Sequence, residues 1–197
     1  MKFGFGLPVR GELANYDGIA AMATHGERLG FAYATMADHI VFPTVVESQY
    51  PYDATGRHPS TGDAIEALSL MAFVAGMTQT LRLVPSVLIL PHRNPVLTAK
   101  MIATIDVLSR GRVTLGVGVG WLREEFEALG AADFDRRGAV SDEYLTIFKK
   151  LWSPGPVEHQ GTWYSFGPLH CEPLPVQKPH PPIWVGGHSK AALCRTA

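Results

Sequence analysis

Short apolar runs alternate with helix-like segments along most of the chain. Runs at 2–7, 31–36, 81–90 and 112–119 are typical of strands, because each is mostly apolar and followed by a turn or by the start of a helix. Strands that alternate with helices form parallel sheets that the helices cover. The sequence therefore predicts an α/β fold, either a doubly wound sheet or a barrel. Helices are predicted between the strands, at 19–29, from 63, from 95, from 122 and at 140–152.

The helix from 95 has the clearest sequence signals. Asn94 and Pro95 suit its N-cap and its first helical position. We expect its buried stripe to be formed by Leu97, Met101, Ile105 and Leu108.

The segment 153–182 differs from the rest of the chain, because it is rich in proline, glycine and aromatic residues. Within it, 162–166 is predicted to be one arm of a hairpin. A fifth inner strand follows at 183–185, and then a glycine pair and the start of a helix. We expect a single domain over 1–197, in which 153–182 is an insertion.

The composition favours an enzyme that acts on a small molecule. The chain has 197 residues, 46% of them hydrophobic, and a formal net charge of −1, so it can bury a core. Its 17 basic residues are scattered, whereas a nucleic-acid binder gathers them on one face. No apolar run is long enough to span a membrane, and the N-terminus does not have the pattern of a signal peptide. We expect a cytoplasmic protein that binds neither nucleic acid nor membrane.

Residues suited to chemistry follow the strands, at the ends where parallel α/β folds bind ligands. Asp38 and His39 come directly after the second strand. His39 is the best candidate for acid–base work, because an imidazole titrates near neutrality. Asp38 could orient it or accept a hydrogen bond from a ligand. The alternative is a loop histidine without a role. The other seven histidines are expected on the surface or in loops, and neither they nor Cys171 and Cys194 have metal-ligand spacing.

Two glycine-rich segments are candidate ligand contacts. The segment 116–120 fails the dinucleotide-binding pattern, because Arg123 stands where the third glycine should be. Glu124 and Glu125 would repel a phosphate at the helix that follows. The segment 186–190 is a better phosphate cradle, with two glycines, Ser189 and Lys190 before a helix, although a glycine pair after a strand is often only a turn. Aromatic residues could wall a pocket or pack in the core: Trp121, Trp163 and Phe166.

Taken in order, these pieces resemble the luciferase-like monooxygenase family, and most of all its branch that depends on the deazaflavin coenzyme F-420. The resemblance covers almost the whole chain and is most specific at 108–121, Leu-Ser-Arg-Gly-Arg continuing into Leu-Gly-Val-Gly-Val-Gly-Trp. It also rests on 3–8, on Ala37-Asp38-His39, on 93–96 with Ala99-Lys100, and on 181–187.

The resemblance implies a TIM (β/α)8 barrel, here truncated after about the fifth strand, with coenzyme F-420 or FMN at its carboxyl-end mouth and usually a homodimer. Asp38 and His39 would contact the cofactor ring. The matching position for a non-proline cis peptide behind the ring is Ser86–Val87. Val119 and Gly120 would line the ring, and Gly186, Gly187 and Ser189 would approach the phosphate.

One position departs from some members of the F-420 branch. Sugar-phosphate dehydrogenases of the family have a catalytic glutamate where this chain has Trp121. Their proton-transfer scheme is therefore not carried over, and we expect Trp121 to line the pocket of a more apolar substrate.

The sequence is compatible with three functions. The first is two-electron hydride transfer between coenzyme F-420 and a small organic substrate, with His39 handling the proton. The second is FMN-dependent monooxygenation. The third is a non-catalytic flavin-binding protein with an incomplete barrel, and a doubly wound nucleotide binder is more remote.

Overall fold

A computed structural model of the chain describes residues 1–58 and 62–196. Residues 59–61 and Ala197 lie outside the described residues. The elements follow the predicted alternation, with bounds shifted by a few residues. In chain order they are β1 (Gly4–Gly6), α1 (Tyr16–Arg28), β2 (Tyr33–Met36), α2 (Ala67–Met77), β3 (Arg82–Pro85), β4 (Leu88–Ile89), α3 (Pro95–Leu108), β5 (Leu115–Gly118), α4 (Arg123–Leu129), α5 (Arg137–Leu151), β6 (Val157–Gln160), β7 (Ser165–Leu169), β8 (Ile183–Val185) and α6 (Lys190–Thr196).

The inner strands are all parallel and form two neighbouring sheets. One has the order β1-β2-β3 and the other the order β4-β5-β8. Leu83 joins them, because its N–H donates to the Arg112 carbonyl at 2.9 Å and its carbonyl accepts from the Thr114 N–H at 3.0 Å. The fold is therefore α/β with parallel strands. The sheets are small, and within the described residues they do not close into a barrel.

The predicted strand 81–90 is two strands, which corrects the sequence interpretation. A cis peptide bond joins Ser86 to Val87 between β3 and β4, at the position that the family resemblance implied. There the Ser86 N–H donates to the Met36 carbonyl at 2.7 Å. From Leu90 the chain turns into a short 3-10 helix rather than continuing as a strand.

The predicted buried stripe of α3 was half wrong. Asn94 caps the helix as expected, and its side chain accepts from the Leu97 N–H. Leu97 and Leu108, however, are 58% and 64% exposed. Since α3 packs between α2 and α5, its inward faces combine isoleucines with small and polar residues. These buried residues are Thr98, Ala99, Ile102, Ala103, Ile105 and Asp106.

The insertion contains an antiparallel hairpin of β6 and β7. Thr162, Trp163 and Tyr164 form its turn, whereas the sequence interpretation made them part of a strand. The reason is Glu143 on α5, whose carboxylate accepts hydrogen bonds from the backbone N–H groups of all three residues. The arm itself begins at Ser165.

At the amino ends of the strands, the buried Arg112 connects α2, α3 and the start of β3. Its guanidinium donates five hydrogen bonds of 2.7–2.9 Å, four of them to backbone carbonyls. Because a guanidinium has five N–H donors, Arg112 has no donor left for a ligand.

Within the described ranges, no helix is both long and apolar enough to cross a bilayer.

Candidate active site

A cavity of about 880 Å³ opens at the carboxyl ends of the inner strands. Every predicted site residue lines it, although these residues come from four separate stretches of the chain. They are Asp38, His39, Ser86, Val87, Val119, Gly120, Trp121, Gly186, Gly187 and Ser189. Trp163 and Phe166 do not line the cavity, because they belong to the hairpin.

His39 is held by Glu125, from the first turn of α4. The Nδ1 atom of His39 lies 2.8 Å from Oε2 of Glu125, and the Glu125 side chain is fully buried. The other carboxylate oxygen, Oε1, accepts from the N–H groups of Ile40 and Val41 at 2.7 and 3.2 Å. One carboxylate therefore fixes both the imidazole and the backbone that follows it. Among the described residues, Nε2 of His39 has no hydrogen-bond partner.

The charge of Glu125 is stabilised by these contacts. Burial raises the pKa of the carboxyl, but the hydrogen bond and charge of His39, followed by His92 and the Ile40 N–H, outweigh burial and lower the pKa. Glu125 is therefore an ionised carboxylate at neutral pH and acts only as a hydrogen-bond acceptor.

Asp38 does not orient His39, which corrects one of the two roles predicted for it. Its carboxylate instead forms a two-oxygen ion pair with Arg93, at 2.6 and 2.7 Å, and accepts from the Ile89 N–H at 2.8 Å. Arg93 also pairs with Glu66 at 2.8 Å. Burial lowers the pKa of Arg93, but the two carboxylates outweigh that and raise it. Asp38 thus lines the cavity while it ties β2 to β4.

Val87 is enclosed by two of the glycines that the sequence marked as ligand contacts. A Cβ atom at Gly118 or at Gly186 would overlap the Val87 side chain. The small residues at these positions therefore let β5 and β8 approach Val87, rather than leaving space for a ligand. At Gly120, φ is +84°, a backbone conformation that favours glycine. A Cβ atom there would also lie 2.7 Å from the Phe126 ring, so a larger residue would clash.

Four rings that contact one another form a ring cluster above His39: Phe42, Tyr50, His58 and Trp121. Their closest pairs have centroids 4.7 to 5.4 Å apart. The His39 ring is 4.4 Å from Phe42 and 6.2 Å from Trp121. Such spacing is that of packed aromatic pairs. The cavity beside His39 is therefore walled by rings.

Two histidines that were predicted to be surface or loop residues contribute to this region. His58 lines the cavity, and burial, followed by the charges of His39 and Arg10, lowers its pKa to about 4. His92 is buried 3.9 Å from Glu125, and burial lowers its pKa to about 4 as well. Both are neutral at pH 7. His159, in strand β6 of the hairpin, is also buried and contacts Glu143 of α5.

The part of the cavity wall that follows β8 includes Gly186, Gly187 and Ser189. The Ser189 hydroxyl accepts from the Ala192 N–H at 3.2 Å, so it caps the short α6. Gly187 has a φ of +103°, which favours glycine. Contact of Gly186, Gly187 and Ser189 with a phosphate stays a prediction. No group of three or more His, Cys, Asp or Glu side chains within 1–58 and 62–196 is placed to hold a metal ion.

The sequence model of the family described as luciferase-like monooxygenase matches residues 1–197. The chain belongs to this family. The luciferase-like chain is also 31% identical, over 173 residues, to an FMNH2-dependent dimethylsulfone monooxygenase from Pseudomonas putida. The match covers 87% of this chain and 43% of that relative, so the chain spans less than half of that relative's length.

Solved structures share the fold of this chain. A monooxygenase from Streptomyces bottropensis superposes with a TM-score of 0.76 at 27% identity, covering 94% of this chain and 53% of that one. A coenzyme F-420-dependent secondary alcohol dehydrogenase, in complex with a coenzyme–acetone adduct, superposes with a TM-score of 0.72. It is 20% identical, with coverage of 95% and 53%, and therefore supports the fold alone.

The luciferase-like site contains residues that sequence reasoning missed. Glu125 was judged only as a poor neighbour for phosphate, and neither Tyr50 nor His58 was given a role of its own. A usable signal existed for Glu125, because an acidic residue in the first turn of α4 lies at the same sheet end as His39. No such signal existed for Tyr50 or His58, which lie in a loop without periodicity.

Proposed function

We propose that this chain contributes the active site of an oxidoreductase that transfers a hydride between coenzyme F-420 and a small secondary alcohol or ketone. The observation that carries this proposal is the pairing of His39 with the buried Glu125 at the cavity, 2.8 Å apart. Oxidation of an alcohol carbon requires that the hydroxyl proton be accepted as the hydride leaves. An imidazole with one nitrogen held by Glu125, and the other without a partner among the described residues, is suited to that task.

The residues present fit a flat cofactor. The cavity volume of about 880 Å³ lies within the range of cofactor sites. Val87 forms one wall between Gly118 and Gly186, while Gly120 offers backbone without a side chain. Val119 and Gly120 would line the ring, and Asp38 and His39 would lie along its edge.

When bound, coenzyme F-420 supplies a two-electron carrier that accepts or gives a hydride at C5. The chain's own residues do the rest. Nε2 of His39 accepts the hydroxyl proton when an alcohol is oxidised and returns it to the oxygen when a ketone is reduced. The hydride, the proton and the resulting carbonyl together account for all the atoms of the alcohol. The ring cluster excludes water from the reacting carbon and favours an apolar substrate.

FMN-dependent monooxygenation is the second candidate. The 31% identity to an FMNH2-dependent dimethylsulfone monooxygenase favours it, and the ring cluster suits the apolar groups of a sulfone as well as those of an alcohol. In that chemistry His39 would again hold or deliver a proton, but molecular oxygen would be consumed.

The two candidates differ in what they consume. The purified chain is supplied with coenzyme F-420 and a series of secondary alcohols without oxygen, and loss of F-420 fluorescence is followed. In parallel it is supplied with reduced FMN, a sulfone or ketone and oxygen, and oxygen uptake is followed. Reduction of F-420 that depends on the alcohol supports the proposal. Substrate-dependent oxygen uptake alone would replace it with monooxygenation, and binding without either activity would favour a non-catalytic binder.

A further inference from the structure

We infer that Glu125 is a positioning residue that dictates which ring nitrogen of His39 carries the hydrogen, so that Nε2 is the nitrogen that accepts a proton. The catalytic consequence of this inference rests on the proposed function, but the hydrogen position itself does not.

For a neutral His39, the carboxylate geometry leaves only one position for the ring hydrogen. Oε1 of Glu125 is occupied by the N–H groups of Ile40 and Val41, which can only donate. Oε2 faces Nδ1 of His39 at 2.8 Å. Because an ionised carboxylate can only accept, Nδ1 must carry a hydrogen. In the neutral imidazole the second nitrogen, Nε2, is then without one and acts as the acceptor.

The surroundings keep Glu125 in this position. Its side chain is fully buried, and the neighbouring Phe126 and Leu122 are 2% and 1% exposed. His92 approaches Oε1 no closer than 3.9 Å and is neutral at pH 7. Among the residues that the structure describes, Nδ1 of His39 is the group that hydrogen-bonds to Oε2.

Replacement by glutamine makes a directional test, because the two backbone donors fix the orientation of the new amide. In Glu125→Gln the amide oxygen must face the N–H groups of Ile40 and Val41. The amide NH2 then faces Nδ1 of His39, which can bind it only as an acceptor. The hydrogen moves to Nε2, and His39 presents a donor where it presented an acceptor.

The expected effect on turnover is large and confined to the chemical step. A histidine in the wrong tautomer cannot accept the substrate proton, and the comparable change in serine protease triads lowers kcat by about 10⁴. We expect a loss of kcat of about 10²- to 10⁴-fold. Affinity for the cofactor should change by less than about threefold, since Glu125 is not among the residues that line the cavity.

The experiment measures the hydrogen position by ¹⁵N NMR of the full chain with labelled histidine. The signals of His39 are identified by their absence from the spectrum of His39→Gln. The expected result is hydrogen on Nδ1 in the natural protein and on Nε2 in Glu125→Gln. Glu127→Gln is the matched control, because Glu127 lies on the same helix but is exposed, and it should leave the His39 signals unchanged.

Two results would overturn the inference. One is hydrogen on Nε2 in the natural protein, a measurement that needs no variant and therefore stands even if Glu125→Gln does not fold. The other is an unchanged tautomer in a folded Glu125→Gln. Since the spectra need neither cofactor nor turnover, failure of the proposed function would show itself separately, as inactivity of the natural protein with the expected tautomer.

Discussion

Arg112 and His39 are both buried polar residues at opposite ends of the same parallel strands, yet their hydrogen bonding differs. The five N–H donors of Arg112 are all used within the protein. His39 uses one ring nitrogen, toward Glu125, and its other nitrogen has no partner among the described residues. A fully satisfied group can only hold the fold together, whereas a group held on one side and free on the other can act on a ligand.

Replacing His39 should give the largest change at the carboxyl ends. His39→Gln removes the proton acceptor, so turnover should fall by about 10²- to 10⁴-fold. Thermal stability should fall less than on replacement of Arg112, because Glu125 loses one donor but keeps the N–H groups of Ile40 and Val41. Steady-state rates and melting curves check both parts. His170→Gln replaces an exposed histidine and serves as the control. Undiminished turnover in His39→Gln would show that the free nitrogen does no chemistry.

Replacing Arg112 should give the opposite result at the amino ends. Arg112→Met leaves the carbonyls of Ala75, Thr78, Leu81 and Ser109 without their donor, and each unsatisfied buried group costs about 1–3 kcal/mol. We expect a loss of about 3–5 kcal/mol in the free energy of unfolding, measured by urea titration.

The affinity of folded Arg112→Met for the cofactor should be unchanged. Arg28→Met, at an exposed position on α1, is the control for loss of a positive charge. A change in cofactor affinity without loss of stability would contradict the view that the amino ends of the strands stabilise the fold while the carboxyl ends bind the ligand.

Trp121 tests whether the ring cluster belongs to the functional end. Trp121→Leu removes ring contacts with Tyr50 and His58, each worth about 0.5–1.5 kcal/mol. The KM for an apolar substrate should rise by about tenfold, with a smaller change in kcat. Trp163→Leu, at the exposed hairpin turn, should change neither constant. Equal effects of the two replacements on KM would remove Trp121 from the substrate site.

The smallest expected effect is the contribution of Glu27 to the pH dependence of stability. Like Arg112, Glu27 lies at the amino ends of the strands. Burial raises the pKa of this carboxyl, but hydrogen bonds from Thr80, Leu81 and Gln79 outweigh burial and lower it below 4.5. Its stabilisation is thus present above pH 4.5 and is lost as pH falls through the lowered value.

Because Glu27 is partly exposed, the effect should stay within about 1 kcal/mol. Urea titrations at pH 6 and pH 3 measure it, and the natural protein should lose more stability than Glu27→Gln. Equal losses would show that Glu27 does not contribute.

Much of the fold and part of the site could be predicted from the sequence, for a physical reason. The strand–helix alternation is a local pattern, and it placed Asp38, His39 and Trp121 at the correct end of the sheet. The His39–Glu125 contact joins residues 86 positions apart, so local patterns do not contain it. The exposure of Leu97 and Leu108 was missed because it depends on which helices pack beside α3.

The central claim is that the cavity at the carboxyl ends of the strands binds coenzyme F-420 beside His39. The most direct measurement is a parallel titration of the purified chain with coenzyme F-420 and with FMN, following the fluorescence of each ligand. The proposal predicts saturable binding of F-420 and markedly weaker binding of FMN. Saturable binding of FMN alone, or of neither ligand, would contradict it.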